Sequence, residues 1–116
     1  MKAKDKNPLI EDITKLIVNN DNLINDDVIE FTQQCVEMTA LYVKKNHDYG
    51  NSFDKGNDII GPAYAIGRIF DKVNRLITLS KVKAEVNDES IIDTIRDLGC
   101  YSVMFLAYIS KNDVKL

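Results

Sequence analysis

Two short polar patterns carry the chemistry of this chain: Arg68, Asp71, Lys72 and Arg75, then Glu89, Asp93, Arg96 and Asp97. Residues three, four and seven apart share one side of a helix, so the first set converges cations and the second converges carboxylates. Cations set beside clustered acids suit a metal-bound phosphate ester. On one helical wheel Glu89, Asp93, Arg96 and Asp97 fall within a sector of about 100°, at about 100° per residue. Like charges on a helix cost roughly 0.2–0.5 kcal/mol per pair, so such a cluster calls for a cation. Arg96 is one candidate and a divalent metal is the other. A solvated face is the plain alternative, against which stands the continuation of the stripe into Cys100, Met104 and Ala107.

A third acid adds to the pattern. Glu37 lies in the run Cys35-Val36-Glu37-Met38-Thr39-Ala40-Leu41-Tyr42-Val43, where a buried carboxylate needs a partner. Carboxylates from two helices make the oxygen-rich site that magnesium prefers, with Gln34 and Glu30 at earlier turns of the same side. An interhelical salt bridge from Glu37 to Lys72 or Arg75 is the structural alternative. The cations Arg68, Lys72 and Arg75 could equally form exposed pairs at three- and four-residue spacing. Arginine's fork, however, suits phosphate and buried carboxylate.

Four helices are expected to position these residues, and no strand-like alternation is present, which makes the fold class all-α. The spans are 8–19, 27–47, 62–84 and 88–112, arranged as a four-helix, bundle-like single domain. Asn7 is the expected cap of the first helix with Pro8 in its first turn, Pro62 opens the third, and Asn87 or Asp88 caps the fourth. The second helix has apolar residues on nearly every side, which suits the middle of a bundle or an oligomer interface. The third should turn Ile66, Ile69, Phe70, Val73, Leu76 and Ile77 inward, and the fourth Ile91, Ile92, Ile95, Leu98, Leu106 and Ile109. Between helices two and three, Asp48 to Gly61 is rich in Gly, Asn and Asp and is read as one long functional loop onto which Tyr49 and Phe53 fold.

Composition narrows the function classes. A formal charge of −3 and a pI near 5.1 argue against a general or sequence-specific nucleic-acid binder. No apolar run reaches the roughly 18 residues of a membrane span, and the Met-Lys-Ala-Lys-Asp-Lys start has no hydrophobic signal core, so a cytoplasmic protein is expected. Cys35 and Cys100 lack a Cys or His at ligand spacing and read as buried free thiols. His47 reads as a cation at a helix end.

Three blocks occur in order: Lys45-x-His47-Asp48-Tyr49-Gly50-Asn51-Ser52-Phe53, then Arg68-x-x-Asp71-Lys72-x-x-Arg75-Leu76, then Asp88-Glu89-Ser90-Ile91-x-Asp93-Thr94-x-x-Asp97-Leu98-x-x-Tyr101. Together, over roughly residues 28 to 110, they resemble the first nucleotide modification associated domain family. That family is found largely in bacteriophages and prophages and is similar to the MazG-like all-α nucleotide pyrophosphohydrolases. The resemblance implies a MazG-type helical bundle, a homo-oligomer (a dimer or larger), and magnesium held by carboxylates of two helices. It also implies hydrolysis of a nucleoside triphosphate to the monophosphate and pyrophosphate. Phage nucleotide metabolism in the cytoplasm of a bacterial host is the implied setting. The wider group carries Glu-x-x-Glu and Glu-x-x-Asp pairs, where this chain has Gln34-x-x-Glu37 and Glu89-x-x-x-Asp93.

On this reading Glu37, Glu89 and Asp93 hold magnesium, with manganese as an alternative, and Asp97 and Glu89 serve the chemistry. Lys45, Arg68, Lys72 and Arg75 neutralise phosphate, while Asp48, Tyr49, Ser52 and Phe53 contact substrate. The alternative from another class is a non-catalytic nucleotide binder, or a sponge for a signalling nucleotide, motivated by Gln34 standing where the group has an acid. A helical interaction protein whose polar faces are only salt bridges is the third reading.

Overall fold

The computed structural model describes residues 8–49, 51–82 and 88–116, and the described residues are all-α, with no strand among them. The expected caps at Asn7 and Asn87, the expected helix end at Ala84, and the side chains of Tyr49 and Asp88 lie outside what is described. In chain order the helices are α1 (Pro8–Asn19), a short 3-10 turn (Asp21–Leu23), α2 (Asp26–Tyr49), α3 (Ser52–Ile60), α4 (Pro62–Lys81) and α5 (Asp88–Asn112). The chain packs as two compact units, residues 1–37 and 38–116.

In the first unit, the Asn25 side chain accepts a hydrogen bond from the Val28 amide at 3.0 Å and so caps α2, with Asp26 and Asp27 complementing the positive helix end. Lys15 and Glu11 pair one turn apart on α1 at 3.1 Å. No residue of α1 is buried. Glu37 is exposed rather than buried, as is most of the apolar surface of α2; Phe31, for instance, is 72% exposed. Within one chain α2 is therefore not enclosed, so of the two places its composition suggested, the middle of a bundle or an oligomer interface, the first does not hold.

The second unit corrects the expected loop. Residues Ser52–Ile60 form α3, so there are five α-helices among the described residues and no long loop between α2 and α4. Asn51 supplies the turn into α3 in the left-handed region (φ 62°), which Asn tolerates better than most residues. Gly61 supplies the turn out, at φ 91°, where a side chain would be strained. The helix forms despite weak intrinsic propensity because tertiary packing fixes it. Phe53 is 5% exposed, and the buried Asn57 amide donates back to the Phe53 carbonyl at 3.1 Å. Gly56 lets the Tyr64 ring of α4 approach so closely that an added Cβ would lie 2.5 Å from ring carbons.

Polar ties fasten α3 to α5: the Tyr108 hydroxyl donates to Asp58 at 2.6 Å, and Lys111 pairs with Asp54. The buried apolar side chains are Phe53, Ala65 and Tyr108, with Tyr64, Tyr101, Met104, Phe105 and Val114 packed around them. This core differs from the expected one. On α4 the side that packs carries Ala65, while Ile66, Phe70, Val73 and Ile77 are exposed. On α5 the buried positions are Thr94 and Tyr108, while Ile92, Ile95 and Leu106 are exposed. Both helices are apolar over more than one arc, and periodicity alone does not say which arc meets the chain's own core.

Candidate functional site

The second unit contains a cavity of about 320 Å³ lined by α2, α3, α4 and α5 and by Asn51. Its α2 wall is Leu41, Tyr42, Lys45 and Asn46, a set of one-turn spacings on one helix side. Its α5 wall is Asp97, Cys100, Tyr101 and Met104, at spacings of three, four and seven. Asn51, Ser52 and Phe53 come from the start of α3, and Tyr64 and Lys72 from α4.

Charge is concentrated at one point of this wall. Lys45 Nζ lies 3.4 Å from one oxygen of Asp97, and Lys72 Nζ lies 3.2 Å from the other. Each carboxylate oxygen thus answers one ammonium, and the cluster keeps a net charge of one positive. All three groups are partly open to solvent, so these pairs hold geometry more than they stabilise the fold. Beside them the Cys100 thiol is pushed up from its ordinary value of 9.0 by burial, then by Asp97, with Lys45 opposing. It therefore stays protonated at neutral pH, and its Sγ sits 3.9 Å from the Met38 carbonyl. Neither Cys35 nor Cys100 forms a disulfide, and both are half-buried rather than fully buried.

The remaining wall is aromatic. Phe53 meets Tyr64 edge to face, with ring centroids 5.9 Å apart, and lies tilted against Tyr101 at the same distance. Such contacts fix ring positions as well as burying area. The cavity therefore offers flat π-surfaces, two ammoniums, and the side-chain amides of Asn46 and Asn51 with the Ser52 hydroxyl.

The candidate residues separate. Lys45, Ser52, Phe53, Lys72 and Asp97 share this cavity. Arg68 instead pairs with Asp71 at 2.9 Å and lies over the Tyr64 ring at 5.6 Å, while Arg75 donates to the Thr94 hydroxyl at 3.2 Å. The cationic side of α4 thus divides into one cavity lysine and two arginines engaged elsewhere. Asp48, Glu89 and Asp93 are exposed and do not line the cavity. His47 lies in the last turn of α2, exposed. Tyr42, Asn46, Tyr64, Cys100, Tyr101 and Met104 were not among the expected contacts. The one-turn spacing from Asp97 to Met104 and from Tyr42 to Asn46 was the available signal.

The fit of a metal can be tested on the donors. Among the described residues no group of three or more His, Cys, Asp or Glu could hold a metal ion. Within the second unit Asp97 is engaged by the two ammoniums, and Glu89 and Asp93 lie one turn apart on α5. Such a pair suffices for magnesium only when substrate phosphates and waters complete the shell.

No helix of the described residues is long and apolar enough to cross a membrane. No curated protein and no solved structure matches the chain. The family model described as nucleotide modification associated domain 1 matches residues 45–109, more than half of the chain. That span begins at Lys45 and takes in every cavity residue except Leu41 and Tyr42. On this match the chain belongs to the nucleotide modification associated domain 1 family.

Proposed function

We propose that the cavity of the second unit binds a nucleotide, its base against Tyr64 or Tyr101 and its phosphate at Lys45 and Lys72. The observation that carries this reading is the pair of ammoniums set across Asp97 on the rim of a cavity walled by Phe53, Tyr64 and Tyr101. Aromatic faces stack on any base, at about 1–3 kcal/mol per base, and ammoniums bind phosphate as point charges. Family membership supports the same ligand class. Isothermal titration with deoxy- and ribonucleotides tests it. Binding should weaken at least tenfold in Lys72→Ala and in Lys45→Ala. Silence across the panel, or undiminished binding by both variants, would overturn it.

A second reading, magnesium-dependent hydrolysis of a nucleoside triphosphate in the manner of the MazG-like enzymes, is favoured by Glu89 and Asp93 at consecutive turns of α5. They would hold a magnesium or manganese ion carried in with the phosphates, whose chemistry is charge neutralisation and activation of water. Pyrophosphate release that depends on both metal and Glu89 and Asp93 distinguishes it from simple binding. A phage-encoded protein working in a bacterial host's cytoplasm is the setting this reading carries.

We also propose that the chain self-associates. In support, α1 has no buried residue, and exposed apolar side chains run along α4 (Ile66, Phe70, Val73, Ile77) at spacings of four, three and four. A stripe of that kind is self-complementary across a two-fold axis. Light scattering should report a dimer or larger at micromolar concentration, and a monomer there would overturn the proposal.

A further inference from the structure

Resting on the nucleotide-binding reading, we infer that the cavity is a monophosphate site, in which the ligand's phosphate takes the place of the Asp97 carboxylate on Lys45 and Lys72. Three observations converge on it. The cavity's cationic groups are Lys45 and Lys72, because Arg68 and Arg75 are engaged with Asp71 and Thr94 outside it. A phosphomonoester carries about −1.5 to −2 at pH 7, which two ammoniums can pair with once Asp97 gives them up, although the Asp97 charge stays beside the phosphate and opposes it. A di- or triphosphate brings charge that the cavity wall does not answer. The volume agrees, since about 320 Å³ lies at the small end of the roughly 300–1,000 Å³ typical of small-molecule sites.

Asp97 then has a defined part. Its two oxygens hold one ammonium each, at 3.4 and 3.2 Å. An arriving phosphate must compete with it, so Asp97 sets the affinity downward while keeping the lysines arranged. A carboxylate serving as ligand to a metal that holds the phosphate would have the opposite signature, since its removal weakens the bound state.

The test is titration of the full chain with a deoxynucleoside and its mono-, di- and triphosphates, with and without magnesium, alongside Asp97→Asn. The monophosphate should bind at least as tightly as the triphosphate and at least tenfold more tightly than the nucleoside, and Asp97→Asn should tighten monophosphate binding severalfold. A triphosphate tenfold tighter than the monophosphate in either condition overturns the inference and leaves nucleotide binding standing. Unchanged or weaker monophosphate binding by Asp97→Asn, with a wild-type helical circular-dichroism spectrum, overturns the exchange at Asp97. Failure of all four compounds overturns the nucleotide reading itself.

Discussion

Along α5, the side carrying Asp97, Cys100, Tyr101 and Met104 lines the cavity, while the side carrying Ile92, Ile95, Val103 and Leu106 is exposed, Leu106 by 67%. The more aliphatic side is thus the one left in water, although burying a Leu or Ile side chain contributes about 1.5–3 kcal/mol. On α5 apolar content did not decide which side packs within the chain: Tyr101 and Tyr108 pack inward while the aliphatic side chains face out. Phe53, Tyr64, Tyr101 and Tyr108 build a small core around a polar recess, and the outer side keeps an exposed apolar surface.

Breaking the inner side should have the largest effect. Phe53→Ala removes the ring that meets both Tyr64 and Tyr101 and should cost about 3–5 kcal/mol in urea unfolding, with nucleotide binding lost as well. Gly56→Ala places a methyl group against the Tyr64 ring and should cost about 1–3 kcal/mol by the same measurement. Thr94→Val removes the acceptor for Arg75 and the donor to the Ser90 carbonyl, for a loss of about 1 kcal/mol.

The ties between α3 and α5 predict a pH dependence. The hydrogen bond to Asp58, then burial and the nearby carboxylates, raise Tyr108 above its ordinary 10.0, and Asp54 raises Lys111 above 10.5. Groups with raised folded values stabilise below their ordinary values, and that stabilisation is lost as pH rises through the folded ones. Thermal midpoints should therefore fall above about pH 10, and Tyr108→Phe should flatten that fall. The smallest effect belongs to the outer side. Leu106→Lys should change the unfolding free energy of the isolated chain by no more than about 0.5 kcal/mol.

The helix boundaries were legible where the chain carries local punctuation. Pro8 and Pro62 open α1 and α4, and the spans expected at 8–19 and 88–112 coincide with α1 and α5. Helix α3 was hidden because Gly56, Asn57 and Asp58 have poor intrinsic propensity, and its stability comes from Tyr64 and α5, which lie elsewhere in the sequence. At the site, Lys45, Lys72 and Asp97 were visible as charges with helical spacing. Their convergence on one carboxylate was not, since sequence separations of 52 and 25 residues are joined only by the packing of α2, α4 and α5. Arg68 and Arg75 look equivalent to Lys72 on a helical wheel, but Arg68 is engaged by Asp71 and the Tyr64 ring and Arg75 by Thr94, and neither arginine lines the cavity.

The central claim, a nucleotide seated in the cavity of the second unit, is tested most directly by a crystal structure grown with a deoxynucleotide. The base should lie against Tyr64 or Tyr101, with a phosphate within hydrogen-bond distance of Lys45 and Lys72. A nucleotide bound anywhere else on the chain, with Asp97 still holding both lysines, would contradict it.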